Sequence, residues 1–203
     1  MPAAWAILLL FHPGGEAGTI YLNLQDKVNR FLVVHIGMLI FIPLFAAAVY
    51  VLMRDVEGTA ARVSRIALIP FVIFYGAFET LQGIGVGTLV NDLNGLSQVD
   101  QATREDLTQD FAENYLFRDF GVFVSIGDIA LVTAMIAAGV ALRNQAGAPL
   151  SVAILLGISP FLISAHPPPY GPIGLLLFIV AVLLFLRSQS TAPVPAAVEA
   201  GPR

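Results

Sequence analysis

The sequence predicts an all-α fold, a polytopic transmembrane helix bundle. Of its 203 residues, 57% are hydrophobic and only 12% are charged, and the mean hydropathy is +0.82. Soluble globular domains carry about 25% charged residues, so this composition is typical of an integral membrane protein. It excludes a disordered chain. The lack of cysteine excludes disulfides, thiolate-bound zinc, iron–sulfur clusters and c-type haem.

The span count follows from length, because a helix needs about 20 apolar residues to cross the hydrocarbon core. Five stretches predict long spans, at residues 31–53, 66–90, 118–142, 149–165 and 170–186. Residues 1–11 are apolar but shorter, and predict a short helix, which would be a sixth span if it crosses the membrane. A re-entrant segment and a signal peptide are the alternatives for these residues. Residues 1–187 thus form one transmembrane domain, and residues 188–203 a disordered cytoplasmic tail.

The long connection at residues 91–117 is acidic and carries its own helix signals. Ser97 and Thr103 each precede an aspartate by three residues, as at a helix start, and apolar residues then recur at helical spacing. A short amphipathic helix is therefore expected in this loop. It is either a lid or cation-attracting vestibule over the bundle, or a solvated connector.

Arginine placement predicts the orientation. The loop at residues 54–65 contains three arginines, and Arg143 and Arg187 fall on the same side of the predicted bundle. The positive-inside rule makes that side cytoplasmic. We therefore expect a plasma-membrane protein with the carboxyl terminus and loop 54–65 in the cytoplasm and loop 91–117 outside.

Two carboxylates fall inside predicted spans, where an ionisable group costs about 2.5 to 3.5 kcal/mol on insertion scales and so marks a candidate site. Glu79 shares a helix face with Tyr75 and Gln82, and Asp128 lies at a similar depth in the next span. If the two spans are neighbours, the two acids face each other in one buried site. The predicted ligand-binding residues are Glu79, Gln82, Tyr75, Asp128, Ser125 and Arg118.

All three histidines are predicted on the outer side, at the ends of different apolar segments. His12, His35 and His166, with Glu16 nearby, offer the nitrogen and carboxylate oxygen ligands that zinc accepts where no thiolate is present. No pair has the close spacing of a ligand motif such as HExxH. The expected cofactor is therefore none, with two further hypotheses: a divalent metal such as zinc, or haem b.

The predicted partners are the lipid bilayer and a small molecule or ion, with no nucleic acid. Gly83 and Gly87 form a GxxxG pair, which lets a second helix approach closely. Close helix packing within the chain explains the pair, and the same face is a candidate contact for a homo-oligomer or a partner subunit.

The order of these features resembles that of small multi-pass membrane proteins of bacteria. The resemblance depends on His12-Pro13, on Val33-Val34-His35 and on the run from Phe74-Tyr75-Gly76 through Glu79 to Gly87. It is a resemblance of pattern and implies no substrate, cofactor or residue role.

Three classes of function remain. The first is a protein that binds or transports an ion or small molecule at a buried Glu79/Asp128 site open to the outer side. The second is an accessory or structural subunit in which the acids pair with Arg118 or with another chain. The third is a membrane-embedded acid/base enzyme acting on an isoprenoid or other lipid, with Glu79, Asp128 and His35 as candidate catalytic residues.

Overall fold

The computed structural model describes residues 1–13 and 18–190, which are helical and contain no strand. Eight helices follow one another along this part of the chain. They are α1 (Pro2–Leu9), α2 (Ile20–Leu24), α3 (Val28–Met53), α4 (Thr59–Asn94), α5 (Gln101–Ala112), α6 (Val122–Gln145), α7 (Leu150–Ser164) and α8 (Tyr170–Ser190).

Four of these helices, α3, α4, α6 and α8, are long and apolar enough to cross a membrane. Helix α7 is apolar but has 15 residues and α1 has 8, both fewer than the roughly 20 residues that cross the hydrocarbon core. The helices differ from the predicted bounds by four residues or more at four ends. Helix α4 begins at Thr59, seven residues before the predicted span, and ends at Asn94, four residues after it. Helix α6 begins at Val122 and not near residue 118, and α8 continues to Ser190, into the predicted tail. The remaining tail and Glu16 lie outside the described residues.

Six of the eight helices in the described part of the chain, all except α2 and α5, pack as a ring. Helix α4 packs on α6, α6 on α7, α7 on α8, α8 on α1, and α1 on α3, which returns to α4. The predicted spans that carry Glu79 and Asp128 are therefore neighbours. The short α1 closes the ring because Trp5, fully buried, packs against Phe41 and Phe45 of α3. Large apolar side chains such as Ile40 and Leu183 stay exposed on the outside, as expected for a lipid-facing surface.

Helix α4 departs from α-helical geometry in two places. Its segments Phe71–Tyr75 and Glu79–Gly85 are π-helical, a geometry that often occurs at functional sites. Pro70 comes just before the first segment and has no backbone N–H to donate. Thr80 donates its hydroxyl to the carbonyl of Gly76 at 2.8 Å, which gives that carbonyl an additional donor at the start of the second segment.

The predicted helix in the acidic connection is present as α5. Asp100 is its N-cap and accepts hydrogen bonds from the backbone N–H and hydroxyl of Thr103, at 3.0 and 2.8 Å. Arg104 fixes α5 to the bundle by donating to Tyr21 of α2 at 3.0 Å and to the carbonyl of Leu96 at 2.7 Å. The connection is therefore docked against α2 and the end of α4 and is not a free linker.

Replacing Arg104 with alanine is expected to loosen α5 without unfolding the bundle. Each hydrogen bond of a charged donor contributes about 1.5 to 3 kcal/mol, and α5 shares few contacts with the transmembrane helices. Amide hydrogen exchange of residues 101–112 should accelerate at least about tenfold. Arg62→Ala, which removes an exposed arginine from α4, is the matched control and should leave this exchange unchanged.

Candidate metal centre

The three histidines converge at one end of the ring. His12 follows α1, His35 lies two turns into α3, and His166 follows α7. One ligand nitrogen from each lies within 4.8 Å of the other two. The rings also touch, with centroids 5.0 Å apart for His12 and His35 and 4.9 Å for His12 and His166. We name these three side chains the histidine cluster.

Glu79 of α4 faces the histidine cluster. Its Oε2 lies 3.7 Å from Nε2 of His35 and its Oε1 lies 4.0 Å from Nδ1 of His166. The side chain is fully buried, and within residues 1–13 and 18–190 neither oxygen has a hydrogen-bond partner. A buried polar group without hydrogen bonds costs free energy, so this carboxylate is placed for a partner that residues 1–13 and 18–190 do not supply.

Backbone carbonyls fix the tautomers of two cluster histidines. Nδ1 of His12 donates to the carbonyl of Pro13, and Nδ1 of His35 donates to the carbonyl of Phe31, both at 2.8 Å. A neutral imidazole that donates from Nδ1 carries its lone pair on Nε2. Nε2 of His12 is buried and has no hydrogen-bond partner among the described residues. Carbonyl bonds of this kind orient histidines that ligate metals.

Burial favours the neutral, ligating form of the two histidines that lie outside the helices. It lowers the pKa of His12, and it lowers the pKa of His166 well below the usual value, with the neighbouring histidines adding to the effect on His166. Both imidazoles are therefore unprotonated at neutral pH. A metal ligand requires this state, because the proton and the ion compete for one lone pair.

Two features of α4 hold the cluster in place. Gly83 lies directly against His35, where an added Cβ would overlap the imidazole ring. The hydroxyl of Tyr75 lies 3.4 Å from Nδ1 of His166 and 3.5 Å from the carbonyl of Ser164.

Gly87, the second glycine of the GxxxG pair, lies directly against Leu32 of α3. The close packing expected from the Gly83 and Gly87 pair thus occurs within the chain, against α3.

A cavity of about 530 Å³ lies beside the histidine cluster, and we name it the central cavity. The three histidines, Gln82 and Asp128 all line it. Ser125 and Arg118 were predicted to join Asp128, and neither lines the cavity. Ser125 donates to the carbonyl of Phe120 at 3.3 Å, while Arg118 is exposed in the connection before α6, because that helix begins four residues later than the prediction required.

Sequence reasoning missed three residues of this region. Asp119 and Ser164 line the central cavity, and each is within two residues of a position that was predicted, Arg118 and His166. Phe120 also lines it, is 94% exposed and has a φ of 59°, an unusual conformation for a residue other than glycine. Ser164 ends α7 two residues before the candidate ligand His166, and this closeness was the available signal for it.

Comparisons with known proteins add no family to this description. No protein-family model, curated protein or solved structure matches the chain. What is established is its class, a helical protein with four helices that are long and apolar enough to cross a membrane.

Proposed function

We propose that this chain is an integral membrane protein that binds one divalent transition-metal ion, of the zinc class, at His12, His35, His166 and Glu79. The single observation that carries the proposal is the convergence of the three histidines, two of which also lie within 4.0 Å of a buried carboxylate that has no hydrogen bond among the described residues. Three imidazoles and a carboxylate form a donor set suited to zinc. The sequence predicted only that an ion or a small molecule is bound or transported, and this proposal specifies an ion of the zinc class.

The contacts between the histidine rings favour a small ion over haem b. A tetrahedral zinc ion with bonds of about 2.1 Å has ligand atoms about 3.4 Å apart. The cluster nitrogens lie within 4.8 Å of one another, so they must draw together by about 1 Å or somewhat more. Haem needs a slot for its macrocycle between two axial ligands. The His12 ring is in edge contact with both other rings, and these contacts leave no such slot.

The proposal includes the predicted topology. Five spans, with α7 crossing as a short helix, place the histidine cluster and α5 at the outer end of the bundle in the plasma membrane and the arginine-rich connection at the inner end. The exposed apolar side chains of α7, such as Ile154 and Phe161, support a lipid-facing position for that helix. The ion site would then open toward the extracytoplasmic side.

Metal titration of the purified protein in lipid nanodiscs tests the proposal. After removal of bound ions with a chelator, the wild-type protein is expected to bind one equivalent of Zn²⁺ by calorimetry and elemental analysis. The double variant His35→Ala/His166→Ala should bind none at this affinity. Asp106→Asn, which changes an exposed acid of α5, is the control and should bind as wild type does. Equal binding by the double variant would overturn the proposal.

Tyr75→Phe is expected to lower the zinc affinity about tenfold without abolishing binding. The phenol lies within 3.5 Å of His166 Nδ1, and loss of a group that orients a ligand typically costs 10- to 100-fold in affinity. Tyr50→Phe, which removes an exposed hydroxyl from α3, is the matched control. An unchanged affinity in Tyr75→Phe would show that this hydroxyl does not position the ligand.

A further inference from the structure

The central cavity is acidic. Asp119 and Asp128 line it, and among the described residues its lining contains no lysine or arginine. A divalent ion held by the histidine cluster, together with the single negative charge of Glu79, would carry a net charge of +1, so with the two aspartates the region keeps a net charge of −1. Electrostatic complementarity therefore favours a positively charged group in the cavity.

The cavity also presents hydrogen-bond acceptors that lack well-placed donors. Oδ1 of Asp128 and Oε1 of Gln82 are buried, and in the described part of the chain neither receives a hydrogen bond of good geometry. The hydroxyl of Ser164, which also lines the cavity, lies close to the Asp128 carboxylate. Asp128 and Gln82 belong to adjacent helices of the ring, α6 and α4, and both side chains line the cavity. A ligand that satisfies them must bring N–H or O–H donors.

Apart from the three histidines, Asn23 and Ser164, the rest of the lining is apolar, and it reaches the outer surface of the bundle. Phe31, Phe78, Val86 and Val124 line the cavity on the bundle side. Phe161 of α7 lines it as well and is 59% exposed. The volume of about 530 Å³ falls in the range of small-molecule sites. A ligand with its head at Asp128 can thus extend an apolar tail past Phe161 into the bilayer.

We propose that the central cavity binds a single-chain amphiphile whose head is a primary ammonium group. The ammonium donates to Asp128 and Gln82, with Asp119 adding negative charge at the mouth, and the alkyl tail packs on the aromatic and aliphatic lining. This ligand is additional to the proposed metal ion. The preference for a cation does not depend on the ion, because Asp119 and Asp128 line the cavity whether or not the ion is bound.

Photoaffinity labelling in phosphatidylcholine nanodiscs tests the inference. Three twelve-carbon probes with a diazirine at the same chain position carry an amine, an alcohol or a carboxylate head. The amine is expected to label the cavity-lining segments 78–86 and 117–128 at least about tenfold more than the alcohol does, the typical effect of one buried charge-assisted hydrogen bond. Excess unlabelled dodecylamine should remove this signal. Equal labelling by amine and alcohol, or strongest labelling by the carboxylate, would overturn the inference.

Substitutions in the cavity test which residues recognise the amine head. Asp128→Asn should reduce amine labelling about tenfold, and Asp119→Asn, at an exposed position, about threefold. Asp106→Asn, the same change away from the cavity, should have no effect. Circular dichroism of each variant checks that the bundle is intact, independently of zinc binding. Unchanged amine preference in both cavity variants would count against the inference.

Metal-free and zinc-loaded samples separate the two proposals. Zinc binding without amine labelling would contradict the amphiphile site alone. Amine labelling at the cavity in a protein that binds no zinc would contradict the metal site alone and support the amphiphile site.

Discussion

Gly83→Ala is expected to lower the zinc affinity of the protein at least about a hundredfold. The added Cβ would overlap the His35 ring and lie 2.8 Å from the Cβ of His35, near the root of that side chain and not at a flexible end. His35 cannot swing aside without losing its 2.8 Å bond to the carbonyl of Phe31. Helices α3 and α4 must therefore separate, which moves His35 away from Glu79. Calorimetric titration with Zn²⁺ measures the effect.

The same helix offers a matched control for this substitution. Gly76 lies two turns earlier, and a Cβ built there meets no atom within 4 Å. Gly76→Ala should retain wild-type affinity, and a helical Gly→Ala change is itself neutral or slightly stabilising. If both variants lose zinc binding equally, flexibility of α4 and not the contact with His35 is responsible. If Gly83→Ala binds as wild type does, the described packing does not control the centre.

Glu79→Leu is expected to change stability in opposite directions with and without metal. In the metal-free protein, leucine removes a fully buried carboxylate whose oxygens lack hydrogen bonds, so the free energy of unfolding should rise by about 1 to 2 kcal/mol. Zinc at 100 times the dissociation constant stabilises the wild type by about 2.7 kcal/mol. A variant with hundredfold weaker affinity gains only about 0.4 kcal/mol at that concentration. The wild type should therefore be the more stable protein in zinc.

Unfolding monitored by circular dichroism, in chelator and in zinc, measures both signs. Glu57→Leu makes the same chemical change at an exposed carboxylate and should not alter the effect of zinc. Destabilisation of the metal-free protein by Glu79→Leu would mean that the carboxylate contributes to folding through its contacts with His35 and His166. Equal stabilisation of the variant and the wild type by zinc would remove Glu79 from the ligand set.

Much of the fold was predictable because hydrophobic length and composition govern membrane helices. Apart from the start of α4, every end of α3, α4, α6 and α8 lies within four residues of its predicted position. Glu79 and Asp128 were singled out as candidate site residues because of their depth in the predicted spans. The π-helical segments of α4 were not, because π geometry depends on which carbonyls find donors within the packed bundle and leaves no simple period in the sequence. Arg118 does not lie on its predicted helix face because residues 115–121 form turns and bends, so that α6 begins four residues later than predicted.

Sequence reasoning singled out the histidines, Glu79 and Asp128 as candidates, but it wrongly added Ser125 and Arg118 to the cavity and did not predict how the candidates are arranged. The histidines lie 23 and 131 positions apart in the chain, so no local spacing could indicate that they meet. Their meeting depends on the ring order of the helices, in which α1 closes the gap between α8 and α3. The separate predictions of a carboxylate pair and a histidine patch are in fact parts of one region, since Glu79 contacts His35 and His166 while Asp128 lines the adjoining cavity.

The π-helical segment Glu79–Gly85 sets which residues of α4 face the other helices on each side of it. A π turn holds one residue more than the α-helical turn that it replaces, and each α-helical residue adds about 100° of rotation, so the part of α4 after the segment is turned by about that angle. Tyr75 precedes the segment and lies against His166, whereas Gly87 follows it and lies against Leu32 of α3. One extra residue thus lets a single helix present its two halves to different neighbours.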